Sequence, residues 1–377
     1  MNQAIEALRS VRPLDAEAMT AASDHLDRLT KPPGSLGRLE ELVVWLAGVT
    51  GLVDAPVDHP VVIVAAADHG VARAHPVSAY PSDVTAQMVA NFLAGGAAIS
   101  ALARVVNADL VVLDAGTATP IPTVSAGIRS RFIQARVAAG TVDMTTGPAM
   151  TPDEADRAMT AGFEAGLEAI DGGANVVALG DMGIGNTTAA SAMVAAISGA
   201  AVRDVTGLGT GLDQDGWERK VALIERAIEV NRARIGGPLE VLAALGGFEI
   251  AALVGVIAAA SARRVPVVLD GFITSAAALV ACELNPALAP RLLAAHRSVE
   301  PGHATALERL GLRPLLDLGM RLGEGTGAAL AIVLLNAATA IRDGMATFES
   351  AGVSGRALGP AEEPVPAPRS ARDTLRR

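Results

Sequence analysis

One carboxylate, Glu324, stands between Gly323 and Gly325 in Arg321-Leu-Gly-Glu-Gly-Thr-Gly327, and a largely apolar stretch, Ala328–Ala337, follows directly. Glycine lets the backbone turn sharply and approach a ligand closely. A carboxylate held between bare backbone and an apolar wall has its charged form disfavoured, so its pKa rises and it becomes a candidate for proton transfer. A second role is open to it. Acids are favoured at helix N-termini, and Glu324 precedes what reads as a buried helix.

Two glycine-rich loops suggest anion binding. Gly180-Asp-Met-Gly-Ile-Gly-Asn-Thr-Thr188 follows an apolar run and opens a helical stretch, Ala189–Ile197. Backbone N–H groups and the dipole of that helix would both point at a ligand, with Gly183, Gly185, Asn186, Thr187 and Thr188 as its cradle. The loop has no Gly-Lys-Ser/Thr, and position 188 is not the third glycine of a dinucleotide fingerprint, so a monophosphate suits it better than ATP or NAD. The second loop, Thr206-Gly-Leu-Gly-Thr-Gly-Leu-Asp213, offers Gly207, Gly209, Thr210 and Gly211, and Lys220 follows within reach as a charge for an anion. Together the loops suggest a sugar phosphate held from two sides.

The chain's only tyrosine, Tyr80, lies in Val77–Met88. An aromatic ligand could be sandwiched there with Ser78 and Gln87 as polar handles, although Ser82–Phe92 also reads as a capped surface helix. In His296–His303 the histidines are seven apart and the nearest acid, Glu300, precedes Pro301, which does not match a zinc site. No metal is expected. Ser298 in the same segment could touch phosphate. No Gly-x-Ser-x-Gly elbow is present, which argues against serine hydrolysis.

Positioning these groups requires a sheet. Val61–Ala67 is a continuous apolar run ending in Asp68-His-Gly, as expected of a strand buried on both faces of a parallel sheet. The pattern recurs at Asp109–Leu113 before Asp114, at Asn175–Leu179 before Gly180-Asp181, and at Val265–Leu269 before Asp270. Helical stretches intervene, one opened by the capping box Thr151-Pro-Asp-Glu154. The fold class is α/β, with a mostly parallel, doubly wound sheet in residues 57–285. Ligands of such sheets bind beyond the carboxyl ends of the strands, where Asp68, Asp114, Asp181 and Asp270 fall. Residues 1–56 and 286–355 read as helical, and the tail, 356–377, as too proline-rich and apolar-poor to fold.

Of 377 residues 51% are apolar and 2% aromatic, with a net charge of −10. That charge argues against a nucleic-acid partner, and the scarcity of aromatics argues against base-stacking platforms. The single cysteine, Cys282, reads as a small core residue in a reducing, cytoplasmic setting. The longest apolar runs, Ala251–Ala260 and Ala328–Ala337, fall short of the roughly 20 residues that span a bilayer, so no membrane association is expected.

The chain resembles the nicotinate-nucleotide–dimethylbenzimidazole phosphoribosyltransferase family. The resemblance is carried, in order, by Lys31-Pro-Pro-Gly-Ser-Leu-Gly-Arg-Leu-Glu40, Ala66-Ala-Asp-His-Gly-Val71, Ser78-Ala-Tyr-Pro, Val84-Thr-Ala-Gln-Met88, Gly180–Thr188, Gly209-Thr-Gly-Leu-Asp213, Leu269-Asp-Gly-Phe272, His296-Arg-Ser and Arg321–Gly327. It implies transfer of phosphoribose from nicotinate mononucleotide to 5,6-dimethylbenzimidazole in cobalamin assembly, with inversion at C1′ and no cofactor. It places the catalytic base on Glu324, a second active-site acid on Asp181 (where the family more often has Glu), the lysine on Lys220 and the phosphate-contacting serine on Ser298. The acceptor base would lie against Ser78, Tyr80, Gln87, Met88 and Leu322. Position 208 is Leu where the family frequently has arginine, so a charged contact is missing there. The family fold implies a large sheet domain, a small helical domain built from both chain ends, and a homodimer. Two other readings are an NAD-linked dehydrogenase and a non-catalytic binding protein drifted from the family.

Overall fold

A computed structural model describes residues 2–124 and 129–355. Six parallel strands form one sheet: β1 (Pro60–Ala67), β2 (Asp109–Gly116), β3 (Ser130–Gln134), β4 (Val176–Met182), β5 (Val267–Leu269) and β6 (Leu292–Ala294). Their order is β3-β2-β1-β4-β5-β6, that of a doubly wound sheet. The strand order reverses between β1 and β4, where Ala65 pairs with Asp181 and Ala66 with Met182.

The apolar runs become strands because alternate side chains are buried on opposite faces. Val61, Ile63 and Ala65 of β1 enter one core, against the helices Pro152–Asp171, Phe248–Ala262 and Phe272–Leu284. Val62, Val64 and Ala66 enter the other, against Ala16–Arg28, Arg38–Thr50, Val84–Ala94 and Thr326–Gly344. Beyond Glu249 in its first turn, the Phe248–Ala262 helix is apolar on nearly every side and almost wholly buried, as a helix enclosed on every side must be. The capping box at Thr151 forms, with Glu154 N–H bonded to the Thr151 hydroxyl and Thr151 N–H to the Glu154 carboxylate.

Two strands escape the sequence reading. β3 is a half-exposed edge strand without an apolar run. β6 has three residues, too few to show a period, yet all are buried beside β5. Residues after 285 are therefore not wholly helical, because Leu292–Ala294 extends the sheet. The run His296–Arg342 is not one helical stretch either. It holds the helices Pro301–Leu310 and Thr326–Gly344, with irregular chain between them.

Val84–Val105 and Thr326–Gly344 are long and apolar enough to cross a membrane by length and composition, which run length alone does not reveal. The first is broken at Gly95 (φ 82°), and both bury one face against the sheet. Cys282 is buried in the Phe272–Leu284 helix, and burial pushes its thiol up to about 12. The tail expected to be unfolded lies outside the described residues.

Candidate active site

All four acids expected beyond the strands reach the sheet's carboxyl edge: Asp68 and Asp270 just after β1 and β5, Asp114 and Asp181 within the last residues of β2 and β4. Above β4 and β5 a cavity of about 500 Å³ opens, lined among others by Asp181, Asn186, Thr187, Glu300, Arg321 and Glu324.

Glu324 reaches the cavity through strained backbone. Its φ is 65°, between Gly323 at 83° and Gly325 at 90°. A non-glycine residue in the left-handed region costs on the order of 1 kcal/mol and persists only where surrounding contacts hold it. Here its N–H donates to the Asp181 carbonyl at 3.2 Å, and its own carbonyl lies against Gly180, where any Cβ would come within 2.5 Å. A glycine in β4 is thus what lets the loop rest on the strand. The carboxylate is 5% exposed, and its Oε2 has no hydrogen-bond partner among the described residues. Burial raises its pKa, opposed by the Ile99 N–H.

Glu324 is not the cap of the helix that follows. That helix, Thr326–Gly344, begins at Gly325 with no cap from its own chain segment. The cap comes from Asp270, whose Oδ2 accepts from Gly325 N–H at 3.1 Å while Oδ1 accepts from Gly327 at 2.6 Å and Ala328 at 3.0 Å. The helix-cap role expected as an alternative for Glu324 therefore falls to a strand-end aspartate, and the glutamate is left free. Burial, with help from Glu324, pushes Asp270 up to about 7 against the pull of those three bonds.

Asp181 sits between the two loops. Asn186 Nδ2 donates to its Oδ2 at 2.9 Å, and its Oδ1 is buried without a partner among the described residues. Burial, then the charges of Asp270, Glu249 and Glu324, raise its pKa well above the ordinary carboxylate value. Nearby, Glu249 accepts from buried His69 at 2.7 Å, and that pairing outweighs burial to raise the imidazole pKa.

The first glycine loop presents an uncapped helix start to the cavity. The Asn186–Ser198 helix starts at Gly185 (φ 96°) with no side-chain cap, and Asn186, Thr187 and Gly183 face the cavity. Gly185 and Thr188 lie beneath the surface instead. In the second loop Gly209 and Thr210 line the cavity, while Gly207 and Gly211 face an adjoining cavity of about 510 Å³. Thr210 ties this loop to the tyrosine segment, since its hydroxyl accepts from Ala79 N–H at 3.0 Å and contacts the Ser78 hydroxyl at 3.0 Å. Arg321 pins it from the other side by donating to the Gly209 carbonyl at 3.0 Å.

Lys220 is fully buried under that loop rather than on the cavity wall. Its ammonium donates to the Thr187 hydroxyl at 2.9 Å and the Gly207 carbonyl at 3.4 Å, so it joins the two loops, and burial lowers its pKa to about 8. Ser298, Tyr80, Met88 and Leu322 line the cavity, but Ser78 does not, and Gln87 is exposed and turned from it. His303 is fully engaged. Its Nδ1 accepts from Ser298 N–H at 2.9 Å, so Nε2 carries the proton and donates to Ser275 at 3.1 Å. Burial drives its pKa down to about 3.

Sequence reasoning overlooked Glu300 and Arg321 as cavity residues and Asp270 as the cap. Only Asp270 carried a usable signal, an acid between a strand and a glycine at the carboxyl edge.

A family model described as a phosphoribosyltransferase matches residues 11–353. A nicotinate-nucleotide–dimethylbenzimidazole phosphoribosyltransferase of Roseiflexus sp. (strain RS-1) is 54% identical over 351 residues, covering 93% of this chain and 98% of the relative. The chain belongs to that family. A Chloroflexus aggregans relative of the same name is 52% identical over 94% of this chain and 99% of its own. The crystal structure of the Thermus thermophilus phosphoribosyltransferase of that name is similar at a TM-score of 0.84 and 47% identity, covering 91% of this chain and all of that one. The chain is an enzyme, a pentosyltransferase on an α/β fold whose strand-end cavity is the candidate active site.

Proposed function

We propose that the enzyme transfers the 5-phosphoribosyl group of nicotinate mononucleotide to 5,6-dimethylbenzimidazole, giving α-ribazole 5′-phosphate and nicotinate for cobalamin nucleotide assembly. One observation carries the mechanistic reading: the buried carboxylate of Glu324, whose Oε2 has no hydrogen-bond partner among the described residues, shares a cavity with the open N-terminus of the Asn186–Ser198 helix. Phosphate belongs at that helix, with Thr187, Thr210 and Ser298 close by, and Lys220 bracing the loops from below.

The ring nitrogen of the nicotinate leaving group is a cationic pyridinium that becomes a neutral pyridine nitrogen as the C1′–N bond breaks, nicotinate departing as its carboxylate anion, so it needs no general acid. Dimethylbenzimidazole attacks the opposite face of C1′ through one ring nitrogen, which inverts the centre. The other ring N–H must lose its proton as imidazolium character develops, and Glu324 takes it. A pKa raised by burial strengthens Glu324 as a base. Asp181 faces the developing oxocarbenium charge. The carboxylates clustered here repel one another, and the cationic pyridinium ring of the nucleotide offsets that repulsion, so the ligand itself draws Asp181 towards its ionised form. Tyr80, Met88 and Leu322 supply apolar wall for the benzimidazole, and holding both substrates in line supplies much of the remaining rate.

The division into a sheet domain and a helical domain from both chain ends, and assembly as a cytoplasmic homodimer, belong to the same reading. Exposed apolar side chains along the two adjoining cavities (Leu208, Val299 and Leu322) favour self-association.

The test is to mix purified protein with nicotinate mononucleotide and dimethylbenzimidazole and assay for α-ribazole phosphate by mass and anomeric configuration. Absence of product with both substrates bound would overturn the reading. Sedimentation of the purified chain tests the dimer.

A further inference from the structure

Three buried carboxylates line the cavity, and the mechanism above uses two of them, Asp181 and Glu324. The third, Glu300, is 7% exposed, and its Oε2 is buried with no hydrogen-bond partner among the described residues. An orphaned acceptor of this kind costs free energy until a donor reaches it.

Glu300 is not occupied locally. It stands at the N-terminus of the Pro301–Leu310 helix but makes no capping bond, and Pro301 brings no N–H for it to satisfy. Its backbone N–H donates to the Ser298 hydroxyl at 3.3 Å, which ties the carboxylate to the proposed phosphate contact. Space has been left for it. A Cβ on Gly207 would fall 2.0 Å from Oε2, so the second glycine loop is bare where the carboxylate rests. Lys220, which donates to the Gly207 carbonyl, is close enough to feel its charge.

A carboxylate beside a phosphate site would repel phosphate, so its partner must be a donor on the neutral part of the nucleotide. Between phosphate and base that part is ribose, whose 2′ and 3′ hydroxyls are vicinal donors matched to the two oxygens of one carboxylate. We propose that Glu300 accepts the ribose hydroxyls and sets a preference for ribonucleotide over deoxyribonucleotide. This inference rests on the proposed function and deepens it by assigning the sugar subsite.

The experiment measures equilibrium binding of nicotinate mononucleotide and its 2′-deoxy and 3′-deoxy analogues to the wild type, Glu300→Gln and Glu300→Ala, with thermal melts of each protein. Binding is used because removal of the 2′ hydroxyl itself alters glycosidic reactivity. The wild type should bind the ribonucleotide roughly 10- to 100-fold more tightly than either analogue, as loss of a hydrogen bond to a charged group entails. Glu300→Ala should bind all three alike. Glu300→Gln, nearly isosteric and able to accept through one oxygen, should keep part of the preference. A wild type that does not discriminate overturns the proposal. So does a folded variant that loses affinity for all three nucleotides equally, since support of Lys220 alone would do that. Failure of the wild type to bind nicotinate mononucleotide at all would instead count against the proposed function.

Discussion

Two helices of this enzyme start in nearly the same way and end up with opposite jobs. The Asn186–Ser198 helix begins at Gly185 with φ 96°, and the Thr326–Gly344 helix begins at Gly325 with φ 90°. Both follow glycine-rich turns, and neither has a cap from its own turn. The difference is what lies ahead of each. Asp270 fills the N-terminus at Gly325 with three backbone hydrogen bonds. The N-terminus at Gly185 is left facing the cavity. An internal anion completes one helix and a substrate anion would complete the other. Because Asp270 takes the capping work, Glu324 is left available for the proposed proton transfer.

The sharpest way to break this comparison is Glu324→Gln. With capping assigned to Asp270, the variant should fold as well as the wild type and lose roughly 10²- to 10⁴-fold in kcat, with nucleotide affinity little changed. A large drop in melting temperature would return the glutamate to a structural role. Asp270→Ala attacks the other side. Removing the buried cap should cost about 2 kcal/mol of stability, read as a lower urea midpoint, and should reduce kcat as the Glu324 turn loosens. An unchanged midpoint would mean that the helix does not depend on Asp270.

Lys220→Met tests the open helix. The variant loses the brace between Thr187 and Gly207, so the KM for nicotinate mononucleotide should rise roughly tenfold with a smaller change in kcat. Stability should hold, because a buried ammonium is costly to desolvate. A change confined to kcat would place Lys220 in the chemistry instead.

The smallest expected effect concerns pH. Asp181 has a folded-state pKa well above the ordinary 3.8, so the folded chain holds a proton that the unfolded chain has released. Its contribution to stability is fully present below about pH 3.8 and is lost as pH rises towards the folded value. Asp181→Asn carries no such charge, so its melting temperature should exceed that of the wild type by a margin that grows from about pH 4 upwards. A margin independent of pH would show that burial and the neighbouring carboxylates do not raise the Asp181 pKa as described. Activity should fall in the same variant, the usual exchange where a strained site is relieved.

Much of this was legible in the chain. Val61–Ala67 and Asn175–Leu179 suited strands buried on two faces, being short apolar runs that end in turn residues. The aspartates at their carboxyl ends followed from chain direction, and the turn Gly323-Glu-Gly325 announced a carboxylate held by bare backbone. Motifs of this kind are local, so local chemistry reveals them. What the sequence could not supply was pairing across distance. Leu292–Ala294 is a strand only because β5 lies beside it, and Lys220 is a brace rather than a wall residue only because two loops close over it. Glu300, read as a loop acid before proline, becomes a cavity carboxylate only when Gly207 packs against it. Whether Glu324 caps the following helix was undecidable from its neighbours in sequence, because a helix N-terminus accepts any anion that reaches it. The answer depended on an aspartate 54 residues earlier (324 − 270 = 54) that arrives first.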